Sequence, residues 1–393
     1  MRSSIPTMPG GVVFSPRELR QRIERAQELL KKNQIDCLFL TGDENFHYFT
    51  GGAGMTHMRS NTRPNIVVVP AEGEPAVITG AFCAYIIELA GAIKDIRSYA
   101  SVFGVPNDLL VEVFREKDLE NKRVGVELGL EQRLNMPLKD YWSLTKSLPD
   151  AEFLDASKII WDLRMVKSAE ELALIRQACE ITGRARQKTF RDVEVGMTER
   201  EIMRLFSRRI LDEGGDRVSF IHVASGTPAN ETYIYLDRPL KNGNILYLDG
   251  GTYVHTYTCD YARLAVAGKP TAEQQRTHKA IRKANRRMAE ALKPGLTCAD
   301  IFRVGVRSLK DEGLVGMLSE VSGRMGHGQG ILITEPPSIT ATDQTVLESG
   351  MVISTEPGAP ETASGEFIWE DVHVLTEDGS EQLTAENEEL VEI

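Results

Sequence analysis

The stretch LYLDGGTYVHTYTCDYAR, residues 246–263, places Asp249 and Asp260 eleven residues apart behind an apolar run. Three later stretches each add one side chain of a metal-ligand type: His327 in GRMGHGQG, Glu356 in ISTEPG and Glu370 in FIWEDVHV. Carboxylates and one imidazole make a hard, oxygen-rich ligand set, which suits Mn²⁺, Fe²⁺, Co²⁺ or Zn²⁺. Four carboxylates are too many for one zinc ion and fit a pair of divalent ions.

The position of these acids favours metal binding over a surface location. Asp249 follows the apolar run Ile245–Leu248, and Glu356 follows the run Met351–Thr355. Each carboxylate is therefore expected at the end of a buried strand, where an unpaired charge is costly. A bound cation explains both acids at once.

Taken in this order, the five residues resemble the pita-bread metallohydrolase family, which includes methionine aminopeptidase, aminopeptidase P, prolidase and creatinase. The family pattern has two aspartates eleven residues apart, a GHG histidine, a glutamate in GM-V-x-x-EPG and a glutamate in an ED strand. The resemblance implies a creatinase-like N-terminal domain over residues 1–160 and a pita-bread catalytic domain over residues 161–393. The expected fold is an α/β domain followed by an α+β domain with a curved antiparallel sheet.

Capping signals and apolar patterns predict the elements of both domains. Ser15-Pro16-Arg17-Glu18 begins a helix that runs to about Lys32, and a helix–strand alternation follows to about residue 163. Ser168 and Thr198 begin the first two helices of the second domain. Its further elements are predicted as strands at Ile245–Asp249, Thr252–Tyr257 and Tyr261–Ala267, helices at Ala272–Leu292 and Cys298–Asp311, and strands near 351–356 and 366–374.

Composition limits the classes of partner. The 393 residues are 41% hydrophobic and 26% charged, with a net charge of −11 and no dense stripe of lysine and arginine, which argues against nucleic acid. No run of 18 apolar residues predicts a membrane span. The N-terminus has no apolar signal core, and the five cysteines are scattered and odd in number. We therefore expect a cytoplasmic enzyme with reduced thiols.

The resemblance also implies a role for each ligand. Asp249 would bind one ion, Asp260 and Glu370 would bridge two, and His327 and Glu356 would complete the second. The family mechanism uses a metal-bridged hydroxide that attacks an electrophilic carbon, with Glu356 as the proton acceptor. Manganese is the first metal expected.

The chain departs from the peptide-cleaving members at three positions. Tyr233 stands where these members have a histidine after the SG motif, and Thr334 stands seven residues after the GHG histidine, where they have another. Ile368 replaces the arginine of the RxED element of prolidase-like members. A hydroxyl donates a hydrogen bond but carries no charge near neutral pH, so Tyr233 and Thr334 are candidate catalytic donors of a different kind.

A loop of the N-terminal domain offers substrate-binding candidates. Arg59 lies eight residues after Gly51, at the position of the creatinase-like arginine, and His57 takes the place of an aromatic residue. In creatinase-like members these side chains reach the site of a neighbouring subunit and hold a substrate carboxylate, so the resemblance implies a homodimer. An arginine fork suits bidentate carboxylate binding, and Arg63 competes with Arg59 for this role.

Four functions remain open at this point. The first is a dinuclear metallohydrolase that cleaves the amide-type C–N bond of a small carboxylate-bearing substrate. The second is an Xaa-Pro dipeptidase or aminopeptidase P. The third is a metal-dependent lyase like the dimethylsulfoniopropionate lyases, which have a carboxylate base where this chain has Ile333, with Glu335 nearby. The fourth, a non-catalytic binding module, is disfavoured because all five ligands are kept.

Overall fold

The computed structural model describes residues 13–51, 62–226, 237–314, 323–362, 365–384 and 389–393. The chain divides into two compact units, Met1–Arg164 and Met165–Ile393. No helix in this described part is long and apolar enough to cross a membrane.

The first unit is an α/β domain built on one six-stranded sheet. Its helices are α1 Pro16–Lys32, α2 Asp43–Thr50, α3 Ala84–Ala90, α4 Asn107–Glu116, α5 Leu138–Ser147 and α6 Ser157–Arg164. Its strands are β1 Cys37–Leu40, β2 Ile66–Pro70, β3 Ala76–Gly80, β4 Asp95–Tyr99, β5 Arg123–Val126 and β6 Glu152–Asp155. Their order is β4-β3-β2-β1-β5-β6, with antiparallel pairs between β1, β2 and β3 and parallel pairs elsewhere.

Helix α1 has the start and the end that the sequence predicts. The Ser15 side chain accepts a hydrogen bond from the Glu18 backbone, and Pro16 occupies the first turn. Leu19, Ile23 and Leu30 are fully buried, as three- and four-residue spacings on one helix face require.

Helix α6 ends the first unit. The predicted domain boundary after residue 160 falls inside this helix, whose last turn is hydrogen-bonded to the first unit. Tyr48 donates to the Leu163 carbonyl at 3.2 Å, and Arg164 donates to Asn45 Oδ1 at 2.9 Å.

The described residues of the second unit form four helices and sheets that are antiparallel except for one parallel pair, between Tyr261–Val266 and Val391–Glu392. The helices are α7 Ala169–Asp192, α8 Glu199–Asp212, α9 Ala272–Ala291 and α10 Cys298–Asp311. The strands are β7 Arg217–Ser225, β8 Ile245–Val254, β9 Tyr257–Thr258, β10 Tyr261–Val266, β11 Arg324–Gly328, β12 Glu335–Thr340, β13 Val352–Thr355, β14 Gly358–Thr362, β15 Gly365–Ile368, β16 Asp371–Leu375, β17 Ser380–Gln382 and β18 Val391–Glu392.

Two five-stranded sheets carry the ligand candidates. One has the order β18-β10-β8-β7, with β9 paired to β8, and the other has the order β12-β11-β13-β16-β17. A short β14-β15 pair stands beside them. The four helices begin with capping boxes at Ser168, Thr198, Thr271 and Thr297, of which the first two were predicted.

The structure corrects the predicted strands around two ligands. Residues 245–257, predicted as two strands, contain the continuous strand β8, so Asp249 lies in its middle and not at its end. Gly250 and Gly251, which lie between the two predicted strands, instead allow close packing, because a Cβ on Gly251 would lie 2.1 Å from the Cys259 carbonyl oxygen. Residues 366–374, predicted as one strand, belong to β15 and β16, which Trp369 and Glu370 separate.

Gly250 gives a test of this close packing. Its φ is +137°, and a Cβ would lie 2.4 Å from the Phe220 carbonyl oxygen. Gly243 has a φ of +85° with nothing within 4 Å of the added carbon. We expect Gly250→Ala to lower the free energy of unfolding by about 1–3 kcal/mol more than Gly243→Ala, because only the first adds a clash to the backbone strain. Urea unfolding followed by circular dichroism measures both, and equal losses would contradict this account.

Candidate metal centre

Strand pairing brings the five ligand candidates together from sequence-distant segments. Asp249 lies on β8 and Asp260 directly precedes β10. Because Asp249 pairs with Ala262, its diagonal neighbour on the same face is Asp260. In the other sheet Thr355 pairs with Asp371, so Glu356 and Glu370 lie opposite each other at the adjoining ends of β13 and β16.

Asp260, His327 and Glu370 form the tightest part of this cluster. One ligand atom of each lies within 4.8 Å of the others, and all three residues are buried. His327 Nε2 is 3.8 Å from Asp260 Oδ2 and 3.6 Å from Glu370 Oε1. This spacing leaves room between the ligand atoms for a cation that each contacts at about 2.0–2.2 Å.

The unsatisfied oxygens of the cluster fit a bound cation. Asp249 Oδ1, Asp260 Oδ1 and Glu370 Oε1 are buried, and none of the described residues donates a hydrogen bond to them. Buried carboxylate oxygens normally have donors, and an unpaired buried charge is strongly destabilising. Three such oxygens beside one imidazole are the arrangement that divalent ions need.

His327 is held in its ligand form. Its Nδ1 lies 2.9 Å from the Gly328 carbonyl oxygen, so Nδ1 carries the proton and donates it there. Burial, with the nearby Arg324 charge, lowers the pKa of His327 to about 3, although the Gly328 hydrogen bond acts in the opposite direction. The imidazole is therefore neutral at pH 7 and directs the Nε2 lone pair at the two carboxylates.

The four carboxylates oppose one another's ionisation. Burial, followed by the charges of Glu370, Asp249 and Glu356, raises the pKa of Asp260 well above its ordinary value. Burial and Asp249 raise the pKa of Glu356 to about 7, and burial with Glu356 and Asp249 raises that of Glu370. Burial also raises the pKa of Asp249, although His222 and Arg186 act against it. If all four carboxylates are ionised, a bound cation must supply positive charge at this site.

Hydrogen bonds fix the backbone around the ligands. Gln329 Oε1 accepts the Asp260 backbone amide at 2.9 Å, and Ser354 Oγ accepts the His327 amide at 3.2 Å. Arg263 donates to the Glu370 carbonyl at 2.6 Å and to Asp371 Oδ1 at 2.5 Å. Trp369 Nε1 also donates to Asp371, at 2.8 Å, so both sides of Glu370 are held.

His222 is a residue near the centre that the sequence reasoning missed. It pairs with Asp249 across β7 and β8, and its ring meets the Tyr247 ring edge-on with centroids 5.0 Å apart. Its side chain is buried on the face that carries Asp249, and its charge favours the ionised form of that carboxylate. The only signal in the sequence was a histidine within the strand that precedes the SG motif.

The carboxylate of Glu335 is bound by groups of the protein itself. It is buried and lies 3.5 Å from Lys167 Nζ, and its Oε1 accepts the backbone amides of Ile331 and Leu332 at 3.1 Å each. Thr334 lies in the bend of residues 331–334 and is half-buried. The carboxylate that kept the lyase function open is thus engaged by a lysine and two amides.

The remaining candidates belong to the first unit or lie outside the described residues. Arg63 lines a cavity of about 280 Å³ within the first unit, together with Cys83 and Tyr99. His57, Arg59 and Tyr233 lie outside the described residues.

Comparison with known proteins gives the class of the chain. The sequence pattern of the metallopeptidase family M24 matches residues 173–377, and that of the Creatinase/Prolidase N-terminal domain matches residues 22–166. The Xaa-Pro dipeptidase of Pyrococcus furiosus is 26% identical over 376 residues, which cover 95% of this chain and 100% of that protein. The probable dipeptidase PepE of Mycobacterium tuberculosis is 30% identical over 350 residues, covering 87% of this chain and 88% of the relative.

Solved structures agree in fold. The dipeptidase PepE from Mycobacterium ulcerans superimposes with a TM-score of 0.81 at 24% identity, covering 96% of this chain and 99% of that one. The prolidase from Pyrococcus horikoshii gives a TM-score of 0.79 at 23% identity, with 94% and 100% covered. The molecule is thus a metal-dependent hydrolase with the pita-bread fold and a creatinase-type N-terminal domain. It belongs to the metallopeptidase family M24, as the order of the five ligand candidates indicated.

The variant Asp260→Asn tests two properties separately: the loss of folding stability that comes from repulsion among the buried carboxylates, and the affinity of the site for metal. In metal-free protein at pH 8 we expect the variant to be more stable than the wild type by about 1–3 kcal/mol, because a buried, repelled charge is removed. Since the folded-state pKa of Asp260 is raised, this gain is absent below the ordinary value of 3.8 and grows as the pH rises above it. Urea unfolding in excess chelator measures the difference.

The same variant should lose the stabilisation that Mn²⁺ gives the wild type, because a ligand is missing. Asp378→Asn is the matched control, since Asp378 is an exposed acid of the same unit. A metal-free Asp260→Asn protein less stable than the wild type at pH 8 would contradict the repulsion inferred here.

Proposed function

We propose that the chain is a dinuclear metallohydrolase that cleaves the amide-type C–N bond of a small substrate with a free carboxylate. Xaa-Pro dipeptides belong to this substrate class. The observation that carries the proposal is the buried cluster of Asp260, Glu370 and a neutral His327. One carboxylate oxygen on each of Asp249, Asp260 and Glu370 is buried there without a hydrogen-bond partner among the described residues.

Five side chains would hold the two ions. Asp249 would hold one ion, His327 and Glu356 would hold the second, and Asp260 and Glu370 would contribute to both. When bound, the ions act as Lewis acids that lower the pKa of water and polarise the substrate carbonyl. Their identity among Mn, Fe, Co and Zn depends on supply and geometry, and the oxygen-rich set accepts each of them.

Glu356 would move the proton of the reaction. Its side chain adjoins the cluster and is half-buried, while the other four ligand candidates are buried. Burial and Asp249 raise its pKa to about 7, which matches a group that takes a proton from water and returns it near neutral pH. Its carboxylate oxygen would accept the proton of the attacking water and deliver it to the leaving nitrogen.

Hydroxyl groups would take the place of the peptidase histidines. We assign Tyr233 and Thr334 to donate hydrogen bonds to the oxygen that gains negative charge as the carbonyl carbon is attacked. Neither side chain brings a positive charge, so the substrates favoured here are small and reactive amides, and long peptides are disfavoured.

Recognition of the substrate carboxylate would come from the N-terminal unit. Arg59, His57 and Arg63 are the candidates, and we propose that they act across a homodimer. All five cysteines are free thiols, which supports the cytoplasmic location that we propose.

An Xaa-Pro dipeptidase is the second candidate. The similar proteins favour it, because the match to the Xaa-Pro dipeptidase of Pyrococcus furiosus covers the whole length of that protein. The lyase is disfavoured, because Ile333 stands at the position of its base and Glu335 is engaged by Lys167.

Paired substrates test the proposal. The manganese-loaded protein should hydrolyse Ala-Pro and release free proline, while Ala-Pro amide should be turned over at least tenfold more slowly because it lacks the carboxylate. Amino-acid release by chromatography measures both rates, with Asp260→Asn as the inactive control. Equal rates on acid and amide would refute carboxylate recognition. No turnover of any carboxylate-bearing amide by metal-replete protein would refute the proposed reaction.

His222 is assigned to position Asp249. His222→Phe keeps the ring contact with Tyr247 but removes the imidazole, and we expect it to weaken Mn²⁺ affinity by about 10–100-fold. His222→Asn retains a hydrogen-bond donor and should lose less. His255→Asn is the control, because His255 lies on a turn at a φ of +55°, which asparagine accommodates. Isothermal titration with Mn²⁺ measures all three, and unchanged affinity in His222→Phe would exclude the positioning role.

A further inference from the structure

Arg186 is a buried cation on α7 that has no part in the proposed hydrolysis. Its side chain is 2% exposed, and none of the described residues accepts a hydrogen bond from its Nε or Nη1. A guanidinium in a protein interior normally has several acceptors or a paired acid, because an uncompensated buried charge is strongly destabilising. Apolar packing alone therefore does not account for an arginine at this position.

The third nitrogen of this guanidinium joins two strands. Nη2 donates to the Gly250 carbonyl at 2.9 Å and to the Tyr261 carbonyl at 2.5 Å. These two residues face each other in the register of β8 and β10. Gly250 directly follows Asp249, and Tyr261 directly follows Asp260. One side chain is thus bonded to the backbone beside both aspartate ligand candidates.

The strand pairing is interrupted where Asp260 lies. The pairing of β8 with β10 ends at the residue pair just described, and the pairing of β8 with β9 begins only at Tyr253. None of the register pairs of these described strands includes Asp260. Side chains hold its backbone instead: Gln329 Oε1 accepts its amide at 2.9 Å, and Arg186 holds the carbonyl of the next residue.

Aromatic rings restrict the orientation of the guanidinium. Its central carbon lies 4.0 Å from the centre of the Tyr261 ring and 5.4 Å from that of the Phe206 ring. The Tyr261 hydroxyl donates in turn to the Cys179 carbonyl of α7 at 3.3 Å. A planar group stacked in this way has little freedom to turn, so it holds the two carbonyls at a fixed separation.

The carboxylate cluster explains why a cation is tolerated here. Burial raises the pKa of Asp249, and the positive charges of His222 and Arg186 act against this rise. Because Nη2 of Arg186 bonds to main-chain carbonyls, the ligand oxygens stay available to a metal ion. The guanidinium therefore adds positive charge near the centre without occupying a ligand.

We propose that Arg186 is a positioning residue of the metal centre, which clamps the two aspartate-bearing segments so that Asp249 and Asp260 meet the ions at a fixed spacing. This role rests on the proposed assignment of the two aspartates to metal, and not on any substrate. Without the clamp, the segment at Asp260 must be ordered when metal binds, and that ordering weakens the affinity.

Metal titration of three variants tests the clamp. Arg186→Met keeps an apolar contact with the Tyr261 ring but removes both bonds to the carbonyls, and we expect its Mn²⁺ affinity to fall about 10–100-fold. Arg186→Lys keeps the charge without the planar fork, so its affinity should lie between those of Arg186→Met and the wild type. Arg184→Met is the matched control and should bind as the wild type does, because Arg184 lies on the same helix and pairs with Glu213 at the surface. Isothermal titration of the full chain measures all four proteins.

Cobalt gives a readout that a purely structural role would not move. At saturating Co²⁺ the visible absorption of Arg186→Met should differ from that of the wild type in position and intensity, because the ligand geometry has changed. Arg184→Met should give the wild-type spectrum, and far-ultraviolet circular dichroism checks that each variant is folded. If Arg186→Met does not fold, Arg186→Lys decides by the same two measurements.

The outcomes separate this role from the proposed function. A folded Arg186→Met with the affinity and the spectrum of the wild type would overturn the clamp, even if its resistance to urea were lower. Wild-type values for Arg186→Lys would do the same where Arg186→Met does not fold. A wild-type protein that binds no Mn²⁺ would overturn both the clamp and the proposed hydrolase, whereas metal-replete protein that hydrolyses no substrate leaves the clamp standing.

Discussion

Mutual repulsion among four carboxylates is the constraint that shapes the second unit. Asp249 lies in a strand with neighbours on both sides, and Asp260 and Glu370 are buried as deeply, so water cannot spread their charge. His327 is neutral and contributes a lone pair without a compensating charge. The fold thus keeps negative charge where the chain supplies little to balance it, and this makes the protein depend on ions from outside.

A buried arginine beside Glu370 is kept from neutralising the site. Arg263 is buried beside Glu370, yet its guanidinium bonds to the Glu370 carbonyl and to the carboxylate of Asp371. Although burial acts to raise the pKa of Asp371, the Arg263 charge and its other partners outweigh this and lower it, so the pair stays ionised. Asp371 in this way pairs with the Arg263 guanidinium, which would otherwise compete with metal ions for the Glu370 carboxylate.

The sequence predicted the elements whose signals are local. The helix Cys298–Asp311 and the starts at Ser15, Ser168 and Thr198 follow from capping and periodicity, and they were predicted correctly. The break at Gly250 and Gly251 was wrong, because glycine marks either a turn or a close approach, and only the tertiary neighbours decide which. The proximity of His222 to the centre was missed for a similar reason. It depends on the register of His222 opposite Asp249 on the neighbouring strand, which local sequence patterns do not contain.

The ligand candidates are spread widely along the chain, and Glu370 lies 121 positions after Asp249. An unfolded or half-folded chain holds these groups far apart, so an ion that bound early would also have to offset the entropy of closing this long loop. Strong binding therefore begins only when both sheets have assembled and paired with their neighbours. Metal ions therefore bind late in the folding of this protein. The fraction of molecules in a cell that carry metal reports the fraction that has completed folding.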